Sequence, residues 1–179
     1  MNRIQYSPIL VLIVVIFISF IFLPGCSGPK KLAVKPNEHM EVGWTPRSVF
    51  QSASYAAWFD TTYAAYPVNE EITDRLRWMK ENVEILVVYG MWCGDSKREM
   101  PRFFKIMDGI RFPEEKITLI AVDRTMLIPP DIKKEYGITN VPTFIVRYKG
   151  MELGRIIESP KTSLEQDLFE LLSPFFPGS

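Results

Sequence analysis

Residues 85–89 limit the folds open to this chain more than any other segment. The run Ile-Leu-Val-Val-Tyr is apolar at every position up to its final tyrosine. A strand of this composition is expected to be buried on both faces, as in sheets that helices cover on both sides. Residues 117–122 form a second buried run, which ends before Asp123. The two runs predict the inner strands of a sheet.

Helix and hairpin signals surround these strands in an alternating order. Thr45-Pro46 places an N-cap residue before a proline, which predicts the start of an aromatic-rich helix. Asn69 is expected to cap a second helix, and Thr162 with Glu165 to form the capping box of a last helix. The other predicted elements are helices over 93–107 and 130–136 and hairpin strands over 143–148 and 152–157. This order predicts an α/β domain with a central mixed β-sheet flanked by helices.

The first 26 residues have the pattern of an export signal. A short start with Arg3 precedes an apolar run over 9–23, which ends in Leu-Pro-Gly before Cys26. This ending resembles a bacterial lipobox and implies that Cys26 is acylated and becomes the N-terminus of a membrane-anchored lipoprotein. An uncleaved signal anchor is the alternative, because the run is close to the ~17–25 residues that span a bilayer. Both interpretations place the rest of the chain outside the cytoplasm, on the periplasmic side in a host with two membranes.

The remainder divides into a tether and one domain. Residues 27–44 contain glycine, proline and lysine with little apolar pattern, which is typical of a flexible tether after the signal peptide at 1–26. Residues 45–179 are expected to form a single domain, because the 179-residue chain has room for only one of ordinary size.

Charge and histidine content argue against several classes of function. Lys and Arg number 21 and so do Asp and Glu, so no excess of positive charge indicates a nucleic-acid partner. The only histidine, His39, lies in the predicted tether, which gives little support to a triad that needs a histidine. With no cluster of Cys and His in the sequence, we expect neither a metal site nor another cofactor.

Residues 92–96, Trp-Cys-Gly-Asp-Ser, resemble the active-site sequence of thioredoxins, Trp-Cys-Gly-x-Cys, with serine in place of the second cysteine. Pro101 stands where that family carries a proline that kinks the active-site helix. Val-Pro-Thr at 141–143 and Gly150 match the spacing of its cis-proline loop and hairpin glycine. The resemblance to the thioredoxin-like superfamily covers residues 69–173. It implies a thioredoxin-like fold, with the aromatic helix as an added N-terminal helix.

Cys93 is the candidate nucleophile. It lies between a predicted strand and a helix, where free N–H groups and the helix dipole favour an anion. Because the thiolate is the attacking species in disulfide exchange, Ser96 is expected to assist as a hydrogen-bond donor to it. Lys97 and Arg98 are expected to add weak stabilisation of this anion, and Asp95 to oppose it.

Three further residues are candidates for substrate binding. The resemblance implies that Pro142 is cis and that its loop faces Cys93. The main chain of Val141 would then pair with an extended substrate segment, as in strand addition. Trp92 either shields one side of the site or simply packs next to it.

Three positions depart from the family's pattern. Val87 stands where thioredoxins bury an acidic residue and Leu119 where they place a lysine, so the proton relay of that family is expected to be missing. Ser96 removes the second thiol, and a hydroxyl cannot attack a mixed disulfide. A substrate joined to Cys93 therefore needs an external thiol for its release.

Two functions from different classes fit these residues. The first is single-cysteine (monothiol) thiol–disulfide exchange on cysteine-containing exported proteins or low-molecular-weight thiols. The second is a catalytically inactive thioredoxin-fold binding or chaperone-like module. A third interpretation follows from the Cys-Gly-x-Ser site of single-cysteine glutaredoxins, which residues 93–96 also resemble, but Trp92, Pro101 and Gly150 favour thioredoxins.

Overall fold

The computed structural model describes residues 42–176, in which five strands form one mixed sheet. The strands lie side by side in the order β1-β3-β2-β4-β5. Parallel pairing joins β2 to β3, and the other neighbouring pairs are antiparallel. Their bounds are β1 (Gly43–Trp44), β2 (Glu84–Tyr89), β3 (Ile117–Ala121), β4 (Thr143–Tyr148) and β5 (Met151–Ile157).

Helices cover both faces of this sheet. They are α1 (Ala53–Ala65), α2 (Glu70–Arg75), α3 (Met79–Asn82), α4 (Gly94–Ile110), α5 (Pro130–Tyr136) and α6 (Leu164–Leu172), with short 3-10 helices at Arg47–Gln51 and Glu114–Lys116. This is the architecture that the resemblance to thioredoxins implies, so the predicted fold class is confirmed.

Strand β2 is buried on both faces, as its composition predicts. Ile85, Val87 and Tyr89 belong to the larger core, which also contains residues of α1, α4 and α6. Leu86 and Val88 point the other way, into a second core that α5 covers. Successive side chains of a strand alternate between faces, so an apolar strand supplies both cores at once.

The aromatic N-terminal helix is present, but it is divided. A 3-10 helix ends at Gln51, and α1 begins after Ser52, which has an extended conformation (φ −64°, ψ 148°). This break brings Phe50 back against Phe59 of α1, with ring centroids 4.8 Å apart. Thr45 caps neither helix, because its hydroxyl shares a hydrogen bond of 2.9 Å with the hydroxyl of Tyr89.

The last helix also begins differently from the prediction. Its N-cap is Ser163, whose hydroxyl accepts a hydrogen bond from the backbone N–H of Gln166 at 3.2 Å. The predicted capping box of Thr162 and Glu165 is therefore wrong. Glu165 is buried and accepts hydrogen bonds from the Tyr66 hydroxyl at 2.6 Å and from a backbone N–H before α2 at 2.9 Å. A buried carboxylate without hydrogen-bond partners costs free energy, and these two donors supply them.

Two further features differ from the sequence pattern. The helix that Asn69 caps is interrupted between α2 and α3, where tight turns place both Leu76 and Met79 in the core. Strand β1, which the pattern did not indicate, pairs with the outer edge of β3.

Cys26 and the predicted signal peptide lie outside the described residues. Within 42–176, no helix is both long enough and apolar enough to cross a membrane.

Candidate functional site

Cys93 lies at the junction of β2 and α4. A tight turn follows β2, in which the backbone N–H of Cys93 donates to the carbonyl of Gly90 at 2.9 Å. Cys93 is the N-cap residue of α4, and its own carbonyl accepts from the backbone N–H of Lys97 at 3.0 Å. The side chain is a half-buried free thiol at the start of a 17-residue helix. The sequence predicted this placement from the strand that runs directly into the motif.

The thiol of Cys93 contacts the loop before β4. Its Sγ donates a hydrogen bond of 3.2 Å to the carbonyl oxygen of Val141, and the Val141–Pro142 peptide bond is cis, as the resemblance implies. The side chain of Val141 is buried in the second core, which the Cys93 side chain also contacts. Three of the candidate site residues are therefore in one place, although 48 positions separate Cys93 from Val141.

Trp92 flanks this site and is held by its ring nitrogen. Nε1 donates to the carbonyl of Val122 at 2.9 Å, and the guanidinium of Arg124 lies 5.2 Å from the ring centroid. Gly90 leaves room for the ring, because a Cβ at that position would lie only 2.8 Å from Nε1. This role of Gly90 was not predicted from the sequence. Trp92 thus packs on its neighbours and also borders Cys93.

Ser96 is buried, with 1% of its side chain exposed. Its Oγ accepts a hydrogen bond from the backbone N–H of Gly90 at 3.1 Å. In the part of the chain that the structure describes, no hydrogen bond joins Ser96 to Cys93. The Gly90 bond uses only an oxygen lone pair, so the hydroxyl proton of Ser96 is still available for donation. Donation to a Cys93 thiolate remains a prediction.

The positions behind Cys93 that depart from the family's pattern form an apolar pair. Val87 of β2 and Leu119 of β3 are register partners across the parallel strands. Both are in the larger core, at 0% and 4% exposure. Neither side chain can exchange a proton, so this pair cannot serve the thiol as an acid–base couple.

Charged residues surround the first turns of α4. Arg98 Nη1 lies 2.7 Å from Asp95 Oδ1, so the carboxylate next to the site is paired with a cation. The hydrogen bond from Arg98 to Glu99 raises the pKa of Arg98, and the hydrogen bond to Asp95 adds to this effect. Burial alone would lower this pKa.

Glu99 is a buried acid that the sequence analysis did not single out. It is 1% exposed, and its Oε1 accepts from both Arg98 and Arg102. Its Oε2 has no hydrogen-bond partner among the described residues. The only sequence signal for its burial is the spacing of three from Ser96, which places both on the inner face of α4.

No metal centre is evident beside this site. Across residues 42–176, the structure contains no group of three or more His, Cys, Asp and Glu side chains that could hold a metal ion.

Comparisons with known proteins find similar sequences and a similar solved structure, but no family model. No protein-family model matches the chain. The chain is 36% identical over 91 residues to thioredoxin of Mycoplasma genitalium, a match that covers 50% of this chain and 81% of the relative. It is 28% identical over 114 residues to mitochondrial thioredoxin-3 of Saccharomyces cerevisiae, covering 63% and 85%. The crystal structure of the oxidised form of that yeast protein is 28% identical and matches 48% of this chain and 76% of its own, with a TM-score of 0.33.

Proposed function

Because this chain belongs to the thioredoxin family, we propose that it carries out thiol–disulfide exchange through the single thiol of Cys93. The observation that carries the proposal is the 3.2 Å hydrogen bond from Cys93 Sγ to the Val141 carbonyl, beside the cis peptide bond. It places a half-buried thiol against a backbone carbonyl that can serve as a docking group for a peptide.

The exchange has two steps. The thiolate of Cys93 attacks one sulfur of a substrate disulfide, so that a mixed disulfide forms and the other substrate sulfur leaves as a thiolate that takes a proton from solvent. Ser96 has no sulfur to attack this mixed disulfide. A second, external thiol attacks the substrate sulfur, releases Cys93 as a thiolate and leaves with the substrate in a new disulfide. The number of disulfides and thiols is unchanged over the cycle.

The Val141 carbonyl changes its role during this cycle. In the free protein it accepts the proton of the Cys93 thiol. Once Cys93 is ionised or joined to a substrate, the sulfur has no proton to donate, and the carbonyl is free to accept an N–H group from an extended substrate segment. Pro142 shapes the loop that presents this carbonyl, and Trp92 borders the same site. Cysteine-containing exported proteins and low-molecular-weight disulfides are the proposed substrates.

The proposal includes a location outside the cytoplasm. Acylation of Cys26 would anchor the mature chain to a membrane and consume that thiol, which leaves Cys93 as the reactive cysteine. In a host with two membranes the domain would lie on the periplasmic side. The basis for this part of the proposal is the sequence of residues 1–26 alone.

Covalent trapping tests the exchange reaction. The purified full chain is incubated with a peptide disulfide, and the product is analysed by mass spectrometry without a reductant. We expect a peptide adduct on Cys93, which an added low-molecular-weight thiol removes. The matched Cys93→Ser variant is expected to form no adduct at position 93. A wild-type chain that stays unmodified at a large excess of peptide disulfide contradicts the proposed function.

A binding or chaperone-like module without catalysis is the second candidate. The observation that favours it is the apolar pair of Val87 and Leu119, which has no proton to exchange with the thiol. This candidate predicts that the Cys93→Ser variant captures unfolded exported proteins as well as the wild type does. Exchange through Cys93 predicts that covalent capture is lost in the same variant.

A further inference from the structure

Arg98 connects α4 to the turn that follows β5. Its Nη2 donates to the hydroxyl of Ser159 at 2.5 Å. The same guanidinium contacts Asp95 through Nη1 at 2.7 Å and Glu99 through Nε at 2.5 Å. Each of its three nitrogens therefore has an oxygen partner. Because a guanidinium is planar and presents its donors in a fixed fork, these contacts hold the side chain in one orientation.

The turn that Arg98 reaches is bonded on its other side to the Val141–Pro142 loop. The backbone N–H of Glu158 donates to the carbonyl of Pro142 at 2.7 Å, and the side-chain amide of Asn140 donates to the Glu158 carboxylate at 2.9 Å. Glu158 has a positive φ of 61°, which turns the chain sharply at the end of β5. Residues 158–159 thus lie between the loop and Arg98.

We propose that Arg98 is a positioning residue, which holds Ser159 and thereby maintains the distance between Cys93 Sγ and the Val141 carbonyl. The thiol belongs to α4 and the carbonyl to the loop before β4, so their contact depends on how these two elements are held together. Pairing of β2 with β4 sets their approximate positions. The link from Arg98 through residues 158–159 joins α4 to the loop a second time. This inference rests on the proposed exchange at Cys93.

Charge and burial explain why arginine is suited to this position. Glu99 is almost fully buried and depends on Arg98 and Arg102 for its partners. A lysine has a single charged nitrogen and cannot match the geometry of three separate partners. Removal of Arg98 would therefore disturb Asp95 and Glu99 as well as the link to Ser159. The hydroxyl of Ser159 is the part of this connection that can be removed without changing a charge.

The test compares Ser159→Ala with Ser159→Thr in the full chain. We expect Ser159→Ala to slow formation of the mixed disulfide with a peptide disulfide about fivefold, the effect of one lost hydrogen bond, through a higher KM for the peptide. Alkylation of Cys93 by iodoacetamide, which does not need the loop, is expected to stay within about twofold of wild type. Ser159→Thr keeps the hydroxyl and is expected to restore the peptide rate. Ser54→Ala, which removes a hydroxyl at an exposed position of α1, serves as the matched control with an unchanged KM.

Amide hydrogen exchange measures the mobility of the loop backbone and does not depend on the thiol–disulfide reaction at Cys93. In Ser159→Ala we expect faster exchange of the backbone amides of Asn140, Val141 and Thr143, with the free energy of global unfolding close to wild type. Unchanged amide exchange over 140–143, or an unchanged KM for the peptide, overturns the positioning role. If the wild type itself forms no peptide adduct, the proposed function fails, and the amide exchange data then decide whether Ser159 holds the loop.

Discussion

The backbone N–H of Gly90 donates a 3.1 Å hydrogen bond to Ser96 Oγ, at the position where the thioredoxin motif has its second cysteine. The serine is buried at this point, so its oxygen satisfies a backbone donor that water does not reach. The residue that removes the second thiol therefore also has a structural role in the turn that carries Cys93. Ser96→Ala therefore tests the stability of this turn, and Ser96→Cys tests the disulfide chemistry of the site.

Ser96→Ala is expected to lower the free energy of unfolding by about 1–3 kcal/mol, because it leaves the buried N–H of Gly90 without an acceptor. Urea denaturation monitored by circular dichroism measures this difference. The matched control is Ser54→Ala at an exposed position of α1, for which we expect a change within about 0.5 kcal/mol. Equal effects of the two substitutions would show that the Gly90 bond does not stabilise the turn.

Ser96→Cys is expected to convert the monothiol site into a dithiol site. The new sulfur stands three residues after Cys93 in the first turn of α4, where it can attack a mixed disulfide on Cys93. The peptide adduct expected of the wild type should then be short-lived, and an internal disulfide should take its place. Mass spectrometry without a reductant distinguishes the two products. A persistent adduct in this variant would contradict the assigned geometry of the site.

Asp108→Asn tests a charged cluster that holds the N-terminal segment on α4. The carboxylate accepts two hydrogen bonds of 2.6 Å from Arg47 and one of 2.7 Å from the Tyr63 hydroxyl. Burial by itself raises the pKa of Asp108, but the hydrogen bonds from Arg47 and Tyr63 outweigh it, so the pKa lies below its ordinary value of 3.8. A carboxyl with a lowered pKa in the folded state stabilises the fold above its unfolded pKa.

This contribution is expected to be lost as the pH falls through the lowered pKa of Asp108 in the folded state. Because the carboxylate is partly exposed to solvent, we expect a difference of only about 1 kcal/mol between wild type and Asp108→Asn at pH 7. Denaturation curves from pH 7 to pH 2 should show this difference constant above about pH 5 and vanishing at the acid end. A difference that does not vary with pH would mean that the charge of Asp108 does not stabilise the fold.

Cys26→Ala is expected to release the protein from the membrane if Cys26 carries the lipid anchor. Each buried CH₂ of an acyl chain contributes about 0.8 kcal/mol to membrane binding, so loss of the chains removes the anchor. Metabolic labelling with a radioactive fatty acid and fractionation of the producing cells measure acylation and location together. The Cys93→Ser variant is the control and should remain labelled. A labelled Cys26→Ala protein would overturn the lipoprotein assignment.

Local sequence patterns were sufficient to predict most of the strands and helices. The apolar run of β2 predicted a strand between two cores because each face of a strand is set by alternate residues. The motif at 92–96 predicted that Cys93 lies at the start of a helix. The spacing to Pro142 predicted that the Val141–Pro142 loop faces it. In each case the signal lies within a few neighbouring residues or in a spacing that the resemblance supplied.

Capping and side-chain pairing were harder to predict. Thr162 and Glu165 matched a local capping pattern, yet Glu165 binds Tyr66, which is 99 positions away. Thr45 likewise bonds to Tyr89 rather than to the helix that follows it. These side chains lie where distant segments bring buried donors and acceptors together, and there an unpaired group costs more than a lost helix cap.

The amino-acid sequence alone determined the order of strands β2 to β5 and of the main helices around them, and the position of a single thiol at the start of α4, since both depend on residues close together in the chain. Only the tertiary structure decided which groups that thiol and its neighbours meet: the Val141 carbonyl for Cys93, the Gly90 amide for Ser96 and the Ser159 hydroxyl for Arg98. The physical reason is that a hydrogen bond needs its two atoms within about 3 Å. For Cys93 and Arg98, partners 48 and 61 positions away reach that distance only when the whole sheet has formed.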